Sequence, residues 1–292
     1  MDLIHFDGLN CYNSCIVNAA EFLNVDYLAS FTALWSETDF SYDEIFDMYL
    51  TTRMPSALEK LGLKLNRLPC SAKHGGEPGF AGLKSGTLFT AGMDAFYMPW
   101  NQYYKLLRGY HYFLGRKVSD NLICCFDPTY NISDVLIAPD EILPHVFDMA
   151  EISSCCSKAV VKHDVVHESY EVLETLPELF KRLDSKIKEC SGVRRSKAGK
   201  IGKYVDAMYT NRSLYRHYLE QLPDCPDALT TLFDDELFSQ WTAVKYGLYK
   251  ASLMQDNTEI LEKICTKLYR IIELERAAAE EVFFIKSSIQ SI

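Results

Sequence analysis

The chain has 292 residues, 48% of them hydrophobic and 24% charged, with a formal net charge of -10. That length supports a full core and two domains, and an acidic balance argues against general nucleic-acid binding, which needs a basic footprint. No stretch approaches the roughly 20 apolar residues of a membrane span, and the opening residues Met1 to Asp7 lack the basic and apolar regions of a signal peptide.

The elements follow in chain order. Cys11 to Leu23 reads as a helix, with turn-forming residues ahead of it and an apolar run of Ile16, Val17, Ala20 and Leu23 inside it. Tyr42 to Thr51 and Pro55 to Leu61 read as two short helices, the second stopped by Gly62. Leu63 to Leu68 alternates like a strand, and Ser71 to Gly86, rich in Gly, Lys and Pro, reads as a loop. Thr87 to Ala91, Tyr110 to Gly115, Leu122 to Phe126 and Asp134 to Ile137 are strand-like, with a hairpin turn at Val118 to Asn121. Pro139 to Ile142 opens a helix. Tyr170 to Cys190, Tyr204 to Leu222, Leu237 to Met254 and Thr258 to Lys286 carry apolar residues at helical spacing, and Ser191 to Lys203 is a basic connection. The expected organisation is an α+β domain over residues 1–165 and an all-helical domain over 166–292.

The ten cysteines include no CxxC pair, so zinc-ligand spacing and a small disulfide framework are both excluded, and free thiols in a reducing cytoplasm are expected. One of them opens a helix. Cys11 falls where the positive end of the helix field favours thiolate, which makes it a candidate nucleophile; Cys15, one turn deeper, reads as core. A nucleophilic cysteine needs a base and the base needs an orienting group. His111 begins one hairpin strand and Asp127 ends the next. Their indices sum to 238, which centres the turn on residue 119, so the two are expected to face each other within one residue of register.

Asn10-Cys11-Tyr12-Asn13-Ser14-Cys15, then a His-led strand, then Asp127-Pro128, is similar to papain-like peptidases of the bacteriocin-leader-processing type. Adding Asp94 with Pro99-Trp100, residues 1–160 more closely resemble the N-terminal domain family of the butirosin-synthesis acyltransferase, whose relatives accompany carrier-protein assembly lines. The resemblance implies a papain-like cysteine protease fold, an N-terminal helix packed on an antiparallel sheet. It also implies a triad of Cys11, His111 and Asp127 and an acyl-enzyme on Cys11. Where the peptidases have a glutamine six residues before the nucleophile this chain has His5, so His5 and Asn10 are the candidate side-chain donors to an oxyanion. Tyr12 replaces the usual glycine, which weakens the case for leader-peptide proteolysis.

The expected reaction is amide formation between a phosphopantetheine-bound acyl chain on a carrier protein and a small amine, a diamine in the first instance, without cofactor or metal. Hydrolysis of a peptide or thioester by the same triad is the alternative. Asp94, Tyr97 and Trp100 are candidate substrate contacts. Arg194, Arg195 and Lys197, in the one dense basic run of an acidic chain, are candidates for docking an acidic carrier.

Overall fold

A computed structural model describes residues 2–6, 8–44, 47–70, 79–155, 165–222 and 235–289. In chain order these form α1 (Cys11–Phe22), β1 (Ser41–Asp43), β2 (Met48–Leu50), α2 (Arg53–Lys60), β3 (Leu63–Arg67), β4 (Leu88–Asp94), β5 (Tyr110–Ser119), β6 (Leu122–Asp127), β7 (Ile132–Ile137), α3 (Pro139–Ile142), β8 (Val146–Ser154), α4 (Val165–Lys188), α5 (Ser196–Glu220), α6 (Asp235–Leu253) and α7 (Thr258–Ile289). They make two compact units, Met1–Tyr27 with Ser56–Val161, and Leu28–Pro55 with Lys162–Ile292. No helix among the described residues is long and apolar enough to cross a membrane.

The first unit is α1 on a six-stranded antiparallel sheet of order β3-β8-β4-β5-β6-β7. Asn10 starts α1 because its extended backbone lets its side chain accept from Asn13 N at 2.8 Å, filling one of the donors that every helix N-terminus leaves open. Cys15, Ile16, Val17, Ala19 and Ala20 are buried along the helix, which packs against β4 and β5. Successive strand residues alternate between faces. Tyr112 and Phe126 meet Tyr12 and Phe22 of the helix, whereas Phe89, Ala91, Met93, Phe113, Ile123 and Cys125 gather into the sheet's second core layer. Gly115 belongs to that close packing: a Cβ there would lie 2.3 Å from the Phe89 ring.

Three sequence expectations change within this unit. β8, for which no element is predicted from the sequence, runs between β3 and β4, and its register to β4 slips by one between Gly92 and Met93. The β5–β6 turn is Asp120-Asn121, one residue beyond the expected centre, with Ser119 opposite Leu122. Of the Ser71–Gly86 loop, residues 71–78 lie outside the described residues, and Gly79–Gly82 form a turn of 3-10 helix.

The second unit is built on α4 to α7, with α4 against α7 and α6 against both α5 and α7. Arg212 and Glu275, both fully buried, form a two-pronged ion pair at 2.7 and 2.9 Å, and Trp241 Nε1 donates to the same carboxylate at 2.9 Å. A buried charge is tolerable only when paired in this way. Leu28–Pro55 packs with these helices: Trp35 stacks on Tyr215, and buried Glu37 accepts from Asn211 Nδ2, Thr51 Oγ1 and the Thr52 and Arg53 backbone N–H groups. The division into residues 1–165 and 166–292 expected from the sequence therefore omits an excursion. Within Tyr42 to Thr51, expected as a helix, the described residues instead form the antiparallel pair β1–β2, held by the cross-strand pair Tyr42–Tyr49, and residues 45–46 lie outside the described residues. The basic connection is also shorter than expected, because α5 begins at Ser196.

Candidate active site

Cys11 is the first residue of α1 and is half-buried. Its own N–H and that of Tyr12 precede the first intrahelical bond, Ser14 N to Asn10 O, so two backbone donors lie at the helix start beside the thiol. The chain leading in is fastened down. Buried Asn18, two turns along α1, accepts from Ile4 N at 2.8 Å and donates to Ile4 O at 2.9 Å. His5, next in sequence, is exposed. Asn10 spends its side-chain oxygen on the cap, which leaves its amide NH2 as the group able to donate.

His111 Nε2 lies 2.8 Å from Asp127 Oδ2. Cys11 also acts on the imidazole, its proximity helping to favour the charged ring; with Nε2 committed to the carboxylate, Nδ1 is the nitrogen that remains for the thiol. Burial opposes protonation of His111, but hydrogen bonds and charge from Asp127 and Cys11 outweigh it and raise the pKa to about 9. The arrangement therefore favours imidazolium beside sulfur at neutral pH.

The pair does not face directly, as the sequence suggested. Leu114 pairs with Phe126 and Gly115 with Cys125, an index sum of 240 against 238 for His111 and Asp127. They are diagonal neighbours on one face, normally ~7–8 Å apart at Cα, a gap that the long imidazole side chain spans. The difference arises from the later turn and from a bulge between Lys117 and Ser119.

Asp127 is fully buried, and its Oδ2 also accepts from Trp100 Nε1 at 3.1 Å. Trp100 thus acts on the orienting carboxylate. Its ring packs edge-on against Phe113, and Tyr130 lies against His111 with ring centroids 5.1 Å apart. Sequence reasoning assigned Trp100 to substrate and did not single out Tyr130. The only local signal was their nearness to Pro99 and Asp127-Pro128.

The remaining candidates divide. Asp94 Oδ1 accepts from Phe96 N and Gly109 N, each at 3.1 Å, and its Oδ2 pairs with Arg108. This carboxylate closes the loop that carries Trp100, with both of its oxygens engaged by that loop. Tyr97 stacks on His145 at 3.7 Å, and its hydroxyl accepts from Arg108 at 3.5 Å. In the second unit, Arg194 and Lys197 are exposed and Arg195 is half-buried.

Cys15 is fully buried, and burial holds its thiol well above the ordinary range, as it does for Cys125. Such thiols are poor nucleophiles. Among the described cysteines Cys155 is the exposed one, and no disulfide is formed among them. Comparison of the sequence with protein-family models gives no match, and comparison with curated proteins gives none either.

Proposed function

We propose that this protein is a cysteine-dependent acyltransferase of papain-like design. In this reading it forms an amide between an acyl chain delivered as a carrier-protein thioester and a small amine such as a diamine. One observation carries the reading: a helix-opening cysteine near enough to an imidazole to help raise its pKa, with that imidazole's Nε2 2.8 Å from a buried carboxylate. The Cys11 thiolate attacks the thioester carbonyl and the carrier thiol leaves, taking a proton from the His111 imidazolium. The amine then attacks the acyl-enzyme, His111 accepts its proton, and the amide departs as the Cys11 thiolate is restored. The N–H groups at the α1 N-terminus, with Asn10 or His5, are the donors for the oxyanion, each typically worth ~3 kcal/mol in such sites. Arg194, Arg195 and Lys197 are the proposed carrier contacts.

The test is incubation with an acyl-carrier thioester, with and without a diamine, followed by intact-mass and product analysis. Acyl mass on Cys11 and a diamine-dependent amide support the reading. Free acid as the sole product under both conditions replaces transfer with hydrolysis. If Cys11 alkylates with iodoacetamide no faster than Cys155, the nucleophile itself is wrong.

A further inference from the structure

The helical unit contains a cleft of about 530 Å³ lined mainly by α4 and α5. That is the size of a small-molecule site. Its lining follows helical spacing on both sides: Leu179, Arg182, Leu183 and Lys186 on α4, and Lys197, Lys200 and Ile201 on α5. Residues at i, i+3, i+4 and i+7 share one face, so each helix presents apolar side chains and cations together.

The charge is unusual for this chain. Arg182, Lys186, Lys197 and Lys200 line the cleft against one carboxylate, Glu189, in a protein of net charge -10. Among the described residues none of the four cations is ion-paired to a carboxylate; Lys200 instead lies over the Tyr42 ring at 4.3 Å. Two of them also violate helix electrostatics. Lys197 and Lys200 occupy the first two turns of α5, which has no acidic residue in its first turn. Cations at the positive end of a helix are unfavourable unless an anion offsets them.

We propose that this cleft binds a soluble phosphomonoester with an apolar body. The leucines and Ile201 receive the body, and the ammonium groups with Arg182 receive the phosphate. Three lysines and an arginine exceed what one carboxylate would neutralise, whereas a phosphomonoester carries close to two negative charges. The inference goes beyond the acyl-transfer reading and does not depend on it; the two meet only at Lys197, which that reading gives to the carrier.

Calorimetric titration of the full chain with 1-naphthyl phosphate tests it, with 1-naphthol and inorganic phosphate as separate arms. Saturable one-site binding is expected for 1-naphthyl phosphate, with competition by inorganic phosphate at higher concentration and at least tenfold weaker binding of 1-naphthol. Lys197→Glu with Lys200→Glu should weaken binding more than tenfold and raise the Tm of the unliganded chain, because the helix-end repulsion is relieved. Lys197→Gln with Lys200→Gln should fall between. Exposed Lys181→Glu, outside the cleft lining, should leave affinity unchanged. Absence of saturable binding, equal binding of 1-naphthol, or affinity insensitive to Lys197 and Lys200 overturns the proposal. Co-sedimentation with phosphatidylglycerol vesicles that 1-naphthyl phosphate does not displace overturns it as well, assigning the cations to a lipid headgroup surface.

Discussion

Replacing Asp127 by Asn tests the site where its electrostatics are most exposed. The substitution keeps the shape of a fully buried side chain and removes its charge. His111 is raised from 6.5 to about 9 against the opposing effect of burial, with Asp127 contributing both a 2.8 Å hydrogen bond and its charge. Without that charge, burial is balanced only by Cys11, and the His111 pKa should return to or below its ordinary value of 6.5, a fall of about 2.5 units or more, or ~3.4 kcal/mol at 1.36 kcal/mol per unit. The sign for stability follows. A pKa raised on folding stabilises the protein fully below the unfolded value of 6.5, and that contribution is lost as pH rises through about 9. Asp127→Asn should therefore cost most below pH 6.5 and least above 9. The His111 ring-proton shift, followed by NMR from pH 5 to 10, gives the titration directly, and urea melts at the two ends of the range give the stability. A His111 titration that stays within half a unit of wild type in Asp127→Asn would refute the reasoning.

Three further predictions follow from single contacts. Cys11→Ala should abolish acylation from a thioester, whereas Cys15→Ala should keep it at a cost of ~1 kcal/mol for the small cavity left at a fully buried position, read by mass spectrometry and urea melts; the reverse pattern would move the nucleophile to Cys15. Trp100→Phe keeps an aromatic ring and deletes the 3.1 Å donor to Asp127, and a hydrogen bond to a charged group is worth ~1.5–3 kcal/mol. It should lower kcat at least tenfold with little change in KM, and a rise in KM alone would return Trp100 to substrate contact. Arg212→Met should destabilise the helical unit by ~3–5 kcal/mol because Glu275 is left charged and buried, and adding Glu275→Leu should recover much of the loss in thermal melts; a single-variant cost under ~1 kcal/mol would show the pair to be dispensable.

The parts of the site that were legible in the sequence rest on local chemistry. Asn10 caps α1 because its side chain reaches Asn13 N three residues on, and Cys11 opens the helix for that reason alone. The β5–β6 hairpin shows in alternation and turn residues. Its register does not, since the bulge between Lys117 and Ser119 adds a residue that no period-two pattern reports. β8, a strand with neighbours on both sides, carries a slip of this kind as well. Tyr42, Ile45, Phe46 and Tyr49 recur at helical spacing, yet Tyr42 pairs with Tyr49 across a hairpin, so tertiary packing overrides the period. Trp100 was legible as an aromatic near Asp94 and illegible as a donor to Asp127, because that contact exists only once the intervening loop is folded.

That loop ties the expected substrate residues to the expected triad in a way different from the one the sequence suggested. Asp94 fixes both ends of residues 95–108, bonding Phe96 N at one and Gly109 N and Arg108 at the other. The closed loop carries Trp100 to Asp127, Asp127 holds His111, and His111 meets Cys11. Each link constrains the next, so rotational freedom removed at the end of β4 limits the imidazole at the start of neighbouring β5. A buried carboxylate with two N–H donors on one oxygen has little freedom to turn, and an imidazole fixed at Nε2 can offer only Nδ1 to the sulfur. Asp94 belongs to the same chain of constraint as the candidate base, and under the proposed function the unit to test is the whole path from the loop through Trp100, Asp127 and His111 toward Cys11 rather than three residues taken alone.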